Sequence, residues 1–284
     1  MNLEKSHKFM KKMILTGILL FSLVFSAFAQ AGMRIVLEEF GGNLTIIRSE
    51  GRTRELVIPE TINGMPITAI GEWAFTNRGL RLVTIPDSVI EIGEGAFSYN
   101  ELSTLTIGNS VETIGRSAFA NNRLNDLTLG TGLLTIGMGA FANNELPSIE
   151  IPDSVSTIEP YAFFFNRLRA VTIPNNVNFI GEGAFSSNRL YTVVIGTGVE
   201  TIGDGAFFNN RITGIDIPGN IGALGRRVFE SRLTRRGAVP PVDYVLETGE
   251  VIYTTANNFD TYFSTTGRRP GRYTFSPDGW IFED

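Results

Sequence analysis

Cysteine is absent from all 284 residues. The single histidine is His7, and the only lysines are Lys5, Lys8, Lys11 and Lys12. Everything beyond residue 12 is therefore built without Cys, His or Lys. Each absence removes chemistry. Without imidazole there is no histidine general base and no histidine ligand for zinc. Ser-His-Asp and Cys-His nucleophilic arrangements cannot be assembled. Without lysine there is no Schiff base and no Walker lysine. Without thiols, no disulfide can staple the chain. Carboxylates, tyrosine and oxygen-ligated metals remain. The carboxylate pairs Glu38-Glu39 and Glu283-Asp284 come with no pocket signal, and the D-x-D-x-D-G spacing of a calcium loop is missing. The composition predicts a protein that is not an enzyme and takes no cofactor or metal.

The few lysines mark a leader. Lys8, Lys11 and Lys12 precede a nearly unbroken apolar run from Met13 to Phe28, and Ala27-Phe28-Ala29 is a small-x-small cleavage site. Residues 1–29 read as a secretory signal peptide, with Gln30 as the mature N-terminus. An uncleaved anchor is the alternative, but the run falls short of the ~20 residues that span a bilayer. No Cys stands near the cleavage site, so the chain is not expected to be a lipoprotein, and no integral membrane segment is expected after cleavage. The expected location is outside the cytoplasm: periplasm, cell surface or medium. The mature chain carries 20 Arg against 28 Asp plus Glu, a net charge of −8. Such a balance disfavours nucleic acid and anionic membranes as partners.

What the chain has in abundance is one phrase, IGxxAFxxNxL. Its phenylalanines are Phe75, Phe97, Phe119, Phe141, Phe163, Phe185, Phe207 and Phe229, each 22 residues after the last. A fixed period over about eight copies means a solenoid. In one unit, Leu102, Leu105 and Ile107 alternate with Thr104 and Thr106, the pattern of a strand with one face inward. A corner follows, where only Pro or Gly is used (Pro86, Gly108, Gly130, Pro152). Val111 and Ile114 suggest a short second strand, and Ala118-Phe119 a helical or 3₁₀ turn. Asn122 closes the coil. Solenoid ends need covers. Residues 30–57 read as an N-terminal cap, a meander of Arg34–Leu37, Asn43–Ile47 and Glu55–Ile58. The solenoid occupies 58–233, with a turn bulging from its first coil at Ile62–Pro66 and a frayed eighth copy at Leu224–Phe229. Residues 234–284 are a linker and C-terminal cap: a hairpin at Tyr244–Leu246 and Val251–Tyr253, a short helix from Asn258 through Phe263, and a hairpin at Arg272–Phe275 and Trp280–Phe282.

The repeat IP-x-x-V-x-x-IG-x-x-AF-x-x-N-x-L-x-x-(L/V/I)-T-I resembles the BspA-like leucine-rich repeats of bacterial surface and secreted proteins. The entry Ile58-Pro59-Glu60-Thr61-Ile62-Asn63-Gly64-Met65-Pro66-Ile67 and the tail Gly267-Arg268-Arg269-Pro270-Gly271-Arg272-Tyr273-Thr274, ending near Trp280, are also similar to that family. One departure is that family repeats often have Cys or Ser where this chain has Asn100, Asn122, Asn144, Asn166, Asn188 and Asn210. The resemblance implies a right-handed solenoid with a parallel sheet, displayed outside the cytoplasm. It implies adhesion to matrix proteins, host cells or other bacteria, with no catalytic residues and no shared ligand. The expected fold is thus a leucine-rich repeat solenoid, mainly β. A parallel sheet lies on one side, short helical or 3₁₀ turns on the other, and β caps at both ends.

Four features are candidates for binding. The Asn row is either a glycan-binding ladder or a set of buried side chains satisfying backbone groups at each turn. A charged row beside it reads Glu101, Arg123, Glu145, Arg167, Arg189, Arg211. Its last three members, with Arg169 nearby, form a basic stripe suited to an acidic polysaccharide or carboxylate-rich partner, or else a solvated edge. The outward strand positions Thr84, Thr106, Thr128, Glu150 and Thr172, continued by Val194 and Asp216, line the face that solenoids commonly use. A parallel row runs from Leu82 through Thr104, Asp126, Ser148, Ala170 and Thr192 to Gly214. Phe164, Phe165, Phe179, Tyr191 and Phe208 lie outside the repeat's core columns and are either an apolar patch or filler between coils. The expected role is a secreted or surface-exposed, adhesin-like protein that engages a protein or glycan ligand. The alternative is a periplasmic scaffold for other envelope proteins.

Overall fold

The computed structural model describes residues 24–30, 32–212, 214–229, 244–245, 251–252, 271–276 and 279–283. Among them the regular structure is strand and turn, with no helix. Strands β1 (Val24–Gln30), β2 (Met33–Phe40) and β3 (Asn43–Gly51) pair antiparallel. Gly41 and Gly42, with φ of 61° and 82°, make the two-residue turn into β3, a conformation that needs positive φ at both positions. Residues 1–23 of the expected leader lie outside the described residues, while its last six residues and Gln30 form β1 on the edge of β2.

β3 then runs parallel to β6 (Met65–Ile70). That pairing opens a ladder that continues without a break through Glu91–Ile92, Thr113–Ile114, Thr135–Ile136 and onward to Ala223–Leu224. β4 (Glu55–Val57) does not complete a meander. It pairs parallel with Leu82–Thr84 and is the first rung of a second ladder, so the coils begin at Glu55. β5 (Thr61–Ile62) pairs with β6 across Asn63-Gly64, which forms the turn expected in the first coil.

The second ladder runs through Thr104–Thr106 and Asp126–Thr128, lapses for one coil, and resumes at Ala170–Thr172, Thr192–Val194 and Gly214–Ile217. Proline explains the lapse. In neighbouring coils the residue opening the strand donates its N–H to the coil before: Asn125 to Ser103 O at 2.9 Å, Tyr191 to Arg169 O at 2.8 Å. Pro147 holds that place in the lapsed coil and has no N–H to give. At the far end Gly271–Ser276 pairs antiparallel with Gly214–Ile217, and Gly279–Glu283 pairs with it in turn, covering the last strand. Tyr244–Val245 pairs with Val251–Ile252. The helix expected at 258–263 and the linker at 235–241 lie outside the described residues.

Each coil sends the same side chains inward. In one unit Leu102, Leu105, Ile107, Val111, Ile114, Ala118 and Phe119 are all at most 2% exposed. The eight phenylalanines stack with centroids 5.1–5.6 Å apart and planes within 12° of parallel. Strand spacing of ~4.8 Å imposes this distance, and an offset stack at that separation is favourable.

The third side of the coil, where the sequence suggests a helical or 3₁₀ turn, is a turn with a left-handed residue near each end. Ala118 N donates to Gly115 O at 3.2 Å and Ala120 N to Ser117 O at 3.1 Å, two 3₁₀-type closures. Ser117 and Asn121, with φ of 52° and 58°, are left-handed. Every other N–H of this turn points toward the next coil. Ser117, Phe119 and Asn121 donate to Met138 O, Ala140 O and Ala142 O at 2.8, 2.8 and 2.9 Å. Their carbonyl neighbours accept from the coil before: Gly95 N to Arg116 O at 2.8 Å, Phe97 N to Ala118 O at 2.7 Å. In the first coil the outward carbonyl Ala74 O accepts from Ser49 Oγ of β3 at 2.6 Å. Arg78, standing where later coils have Asn, donates to Ser49 Oγ at 3.1 Å and Ser49 O at 2.6 Å.

Candidate binding surfaces

The asparagine row is internal. Its six members are 4–8% exposed. Asn144 Oδ1 accepts from Leu124 N at 3.0 Å, and its Nδ2 donates to Phe119 O and Phe141 O at 3.0 and 3.1 Å. The same three bonds recur at Asn122, Asn166, Asn188 and Asn210. Each amide thus ties one coil's corner to the coil before it. Of the two readings, the backbone-satisfying one holds, and the row offers no ladder to a ligand.

Outside that framework lie the sheet-face rows. Thr84, Thr106, Thr128 and Thr172 are exposed on the second ladder, and Glu150 is exposed in the lapsed coil between its two halves. The structure therefore brings the five into one row but not onto one continuous sheet. Val194, 39% exposed, extends the row. Leu82 and Thr192 are exposed in the row alongside.

Arg167, Arg189 and Arg211 occupy the same corner of successive coils, each donating its backbone N–H to the leucine of the coil before. All three side chains are exposed. Arg167 Nη1 pairs with Glu145 at 3.0 Å, and Arg211 Nη1 donates to Tyr191 Oη at 3.1 Å. Earlier in the row Glu101 is held by Arg81 at 3.2 Å. Arg169 and Arg189 make no ion pair among the described residues. The stripe is thus partly neutralised at its start and open in its middle.

A profile of the BspA type Leucine rich repeat region matches residues 52–163 and 112–234, in six copies. The chain belongs to this family. BspA-type coils account for the phased Phe and Leu columns above, and leucine-rich repeat solenoids typically serve as non-enzymatic binding scaffolds. A search of curated proteins gave no match. Three solved structures are similar. A leucine rich cell surface protein of Faecalibacterium prausnitzii is 23% identical over 71% of this chain and 73% of its own, with a TM-score of 0.43. The pneumococcal vaccine antigen PcpA is 16% identical over 71% and 78%, with a TM-score of 0.42. A leucine rich repeat protein of T. pallidum is 19% identical over 69% and 86%, with a TM-score of 0.45.

In this BspA-type chain the extra aromatics do not form one patch. Phe179 lies on the first ladder, Tyr191 at the start of a strand in the second, and Phe164, Phe165 and Phe208 on the turn side. Phe165 is 60% exposed and lies 6.0 Å from Phe164, which meets Tyr161 edge-on at 5.9 Å. Arg227 stacks over Phe208 at 4.7 Å. Trp73, Tyr99 and Tyr161 are exposed aromatics of the same side that the repeat pattern hides, because they replace the Gly or Asn that recurs at their positions in other coils. Tyr161 Oη donates to Glu182. That bond chiefly, then burial and the charges of Glu182 and Asp204, hold the phenol above its ordinary range. No group of three or more His, Cys, Asp or Glu poised for a metal occurs among the described residues, and they include no helix long and apolar enough to cross a membrane.

Proposed function

We propose that this BspA-type protein is a non-enzymatic, adhesin-like binder that works outside the cytoplasm. Its solenoid surface engages host matrix, host cell-surface or bacterial proteins. The observation that carries the reading is the open middle of the Arg stripe. Arg169 and Arg189 stand exposed without an ion pair among the described residues, on a chain that is acidic overall. Guanidinium groups at successive coils offer paired donors to carboxylates. Thr84, Thr106, Thr128, Glu150 and Thr172 extend the contact face, and Arg167, Arg189 and Arg211 form its charged edge.

Immobilised mature protein, assayed against matrix proteins, host cells and partner bacteria, is expected to show saturable binding that weakens with salt. Arg189→Ala combined with Arg211→Ala should reduce it. Absence of saturable binding in all three assays rejects the reading. Protease added to intact cells should digest the protein. Full protection would instead favour the periplasmic scaffold.

A further inference from the structure

Four aromatic residues, Trp73, Tyr99, Tyr161 and Phe165, hold left-handed backbone, and of these Trp73 and Tyr161 share one position of the repeat. Trp73 and Tyr161 hold φ of 57° and 60°, a region that costs a bulky side chain of order 1–3 kcal/mol. The same position is Gly95, Ser117, Gly139, Gly183 and Gly205 in five other coils, residues at ease there or small, and Arg227 in the frayed eighth copy. Each aromatic ring lies over the glycine of the next coil. A Cβ on Gly95 would fall inside the Trp73 indole, and one on Gly183 would lie 2.5 and 2.7 Å from Tyr161 Cε1 and Cδ1. The rings are therefore laid against backbone on one side, and they remain 46% and 39% exposed.

A carboxylate accompanies each ring. Glu94 precedes Gly95 and Glu182 precedes Gly183, within the same hexapeptide Ile-Gly-Glu-Gly-Ala-Phe at 92–97 and 180–185. Glu72 and Asp204 stand at that place in two other copies, and the remaining copies have Arg116, Met138, Pro160 and Arg226. Trp73 N donates to Glu94 O and Tyr161 N to Glu182 O, both at 2.8 Å. Among the described residues no cation pairs with either carboxylate. The two constellations are one arrangement repeated four coils apart, about 20 Å at the ~4.8 Å spacing of strands.

We infer that Trp73 with Glu94, and Tyr161 with Glu182, form two equivalent subsites on the turn side for a neutral polysaccharide. A ring laid on backbone presents one open, electron-rich face, which suits the C–H-lined face of a pyranose. The carboxylates accept hydrogen bonds from sugar hydroxyls. An acidic polysaccharide meets like charge at both subsites. A proline-rich peptide also stacks on aromatic rings, but it brings carbonyl acceptors and few donors to groups that only accept. One ring per subsite does not enclose a cation. A long neutral chain reaches both subsites and gains from being held twice.

The test uses the mature chain with Trp73→Gly, Tyr161→Gly and both together. Glycine is native at this position in other coils, so the variants should melt no lower than the parent. The probes are a neutral β-glucan, a mannan and their hexasaccharides. A polyuronate, a proline-rich peptide and an arginine-rich peptide serve as rivals. Titration calorimetry should show saturable binding of a neutral polymer. Each single variant should weaken it about tenfold, more than it weakens the hexasaccharide, and the double variant should abolish it. A tryptophan fluorescence change on binding should vanish in Trp73→Gly and persist in Tyr161→Gly. Binding to no neutral probe, binding unchanged in the double variant, or preference for any of the three rivals overturns the inference.

Discussion

Asn144 serves three backbone groups at once, its amide accepting one bond and donating two where a hydroxyl could donate only one. Asn144→Ala strands Leu124 N in the core and removes a donor from two carbonyls. A stranded buried group costs about 1–3 kcal/mol, so urea denaturation should show a loss of roughly 3 kcal/mol. Asn143→Gly, one residue earlier, tolerates the left-handed φ of 56°, breaks only an exposed side-chain bond to Asn121 at 3.2 Å and should cost much less. Equal losses would contradict the internal ladder. The structural sense of this row was legible, since Asn recurs in phase with Phe and Leu. The left-handed row was not. Its residues range from Gly to Trp, and handedness is set by pairing between coils rather than by any one residue type. Tyr161 carries a pH signature at this same scale. Its phenol is raised by folding, so the bond to Glu182 contributes while the phenol is protonated and is lost as pH rises through the raised value. Tyr161→Phe should melt slightly below the parent at neutral pH, by a margin kept small by exposure, and match it in strong alkali. A difference that survives alkali would rule the bond out as its source.

Columns are the working elements of this molecule. Phe141 is stacked on both sides, at 5.5 Å from Phe119 and 5.5 Å from Phe163, and is fully buried. Phe229 closes the described column beside Phe207 and is 7% exposed. Phe141→Ala should cost about 3–5 kcal/mol and Phe229→Ala clearly less, read from thermal melts. Matching shifts would mean that the column does not bear the core. The inward strand residues were plain from their alternation, yet the pattern misplaced the stronger ladder. The unbroken ladder is made of two-residue strands such as Thr113–Ile114, too short to show a period of two. The ladder that alternates clearly is the one interrupted at Pro147. Glu55-Leu56-Val57 alternates equally well as a cap strand or a coil strand; only its partner, Leu82–Thr84, decides between them.

At the scale of the whole chain, each coil touches mainly its neighbours, so stability adds coil by coil. Deleting residues 113–134 removes one 22-residue period and rejoins every column in register. That protein should fold and unfold cooperatively with somewhat reduced stability. A deletion one residue shorter puts each Phe opposite the wrong position and should leave a chain that fails to fold. Circular dichroism melts of the pair check this, and equal folding of both would deny the solenoid its register. The one-way hydrogen bonds of the turn side have an electrical consequence. Peptide dipoles that all point along the stack add, as they do in a helix, and leave partial negative charge at the carbonyl end and partial positive charge at the N–H end. Here the negative pole lies at the N-terminal coil, the reverse of a helix. A cover for that end must therefore bring hydrogen, not lone pairs. The hydroxyl of Ser49 supplies it to Ala74 O, and the guanidinium of Arg78 holds Ser49 in place.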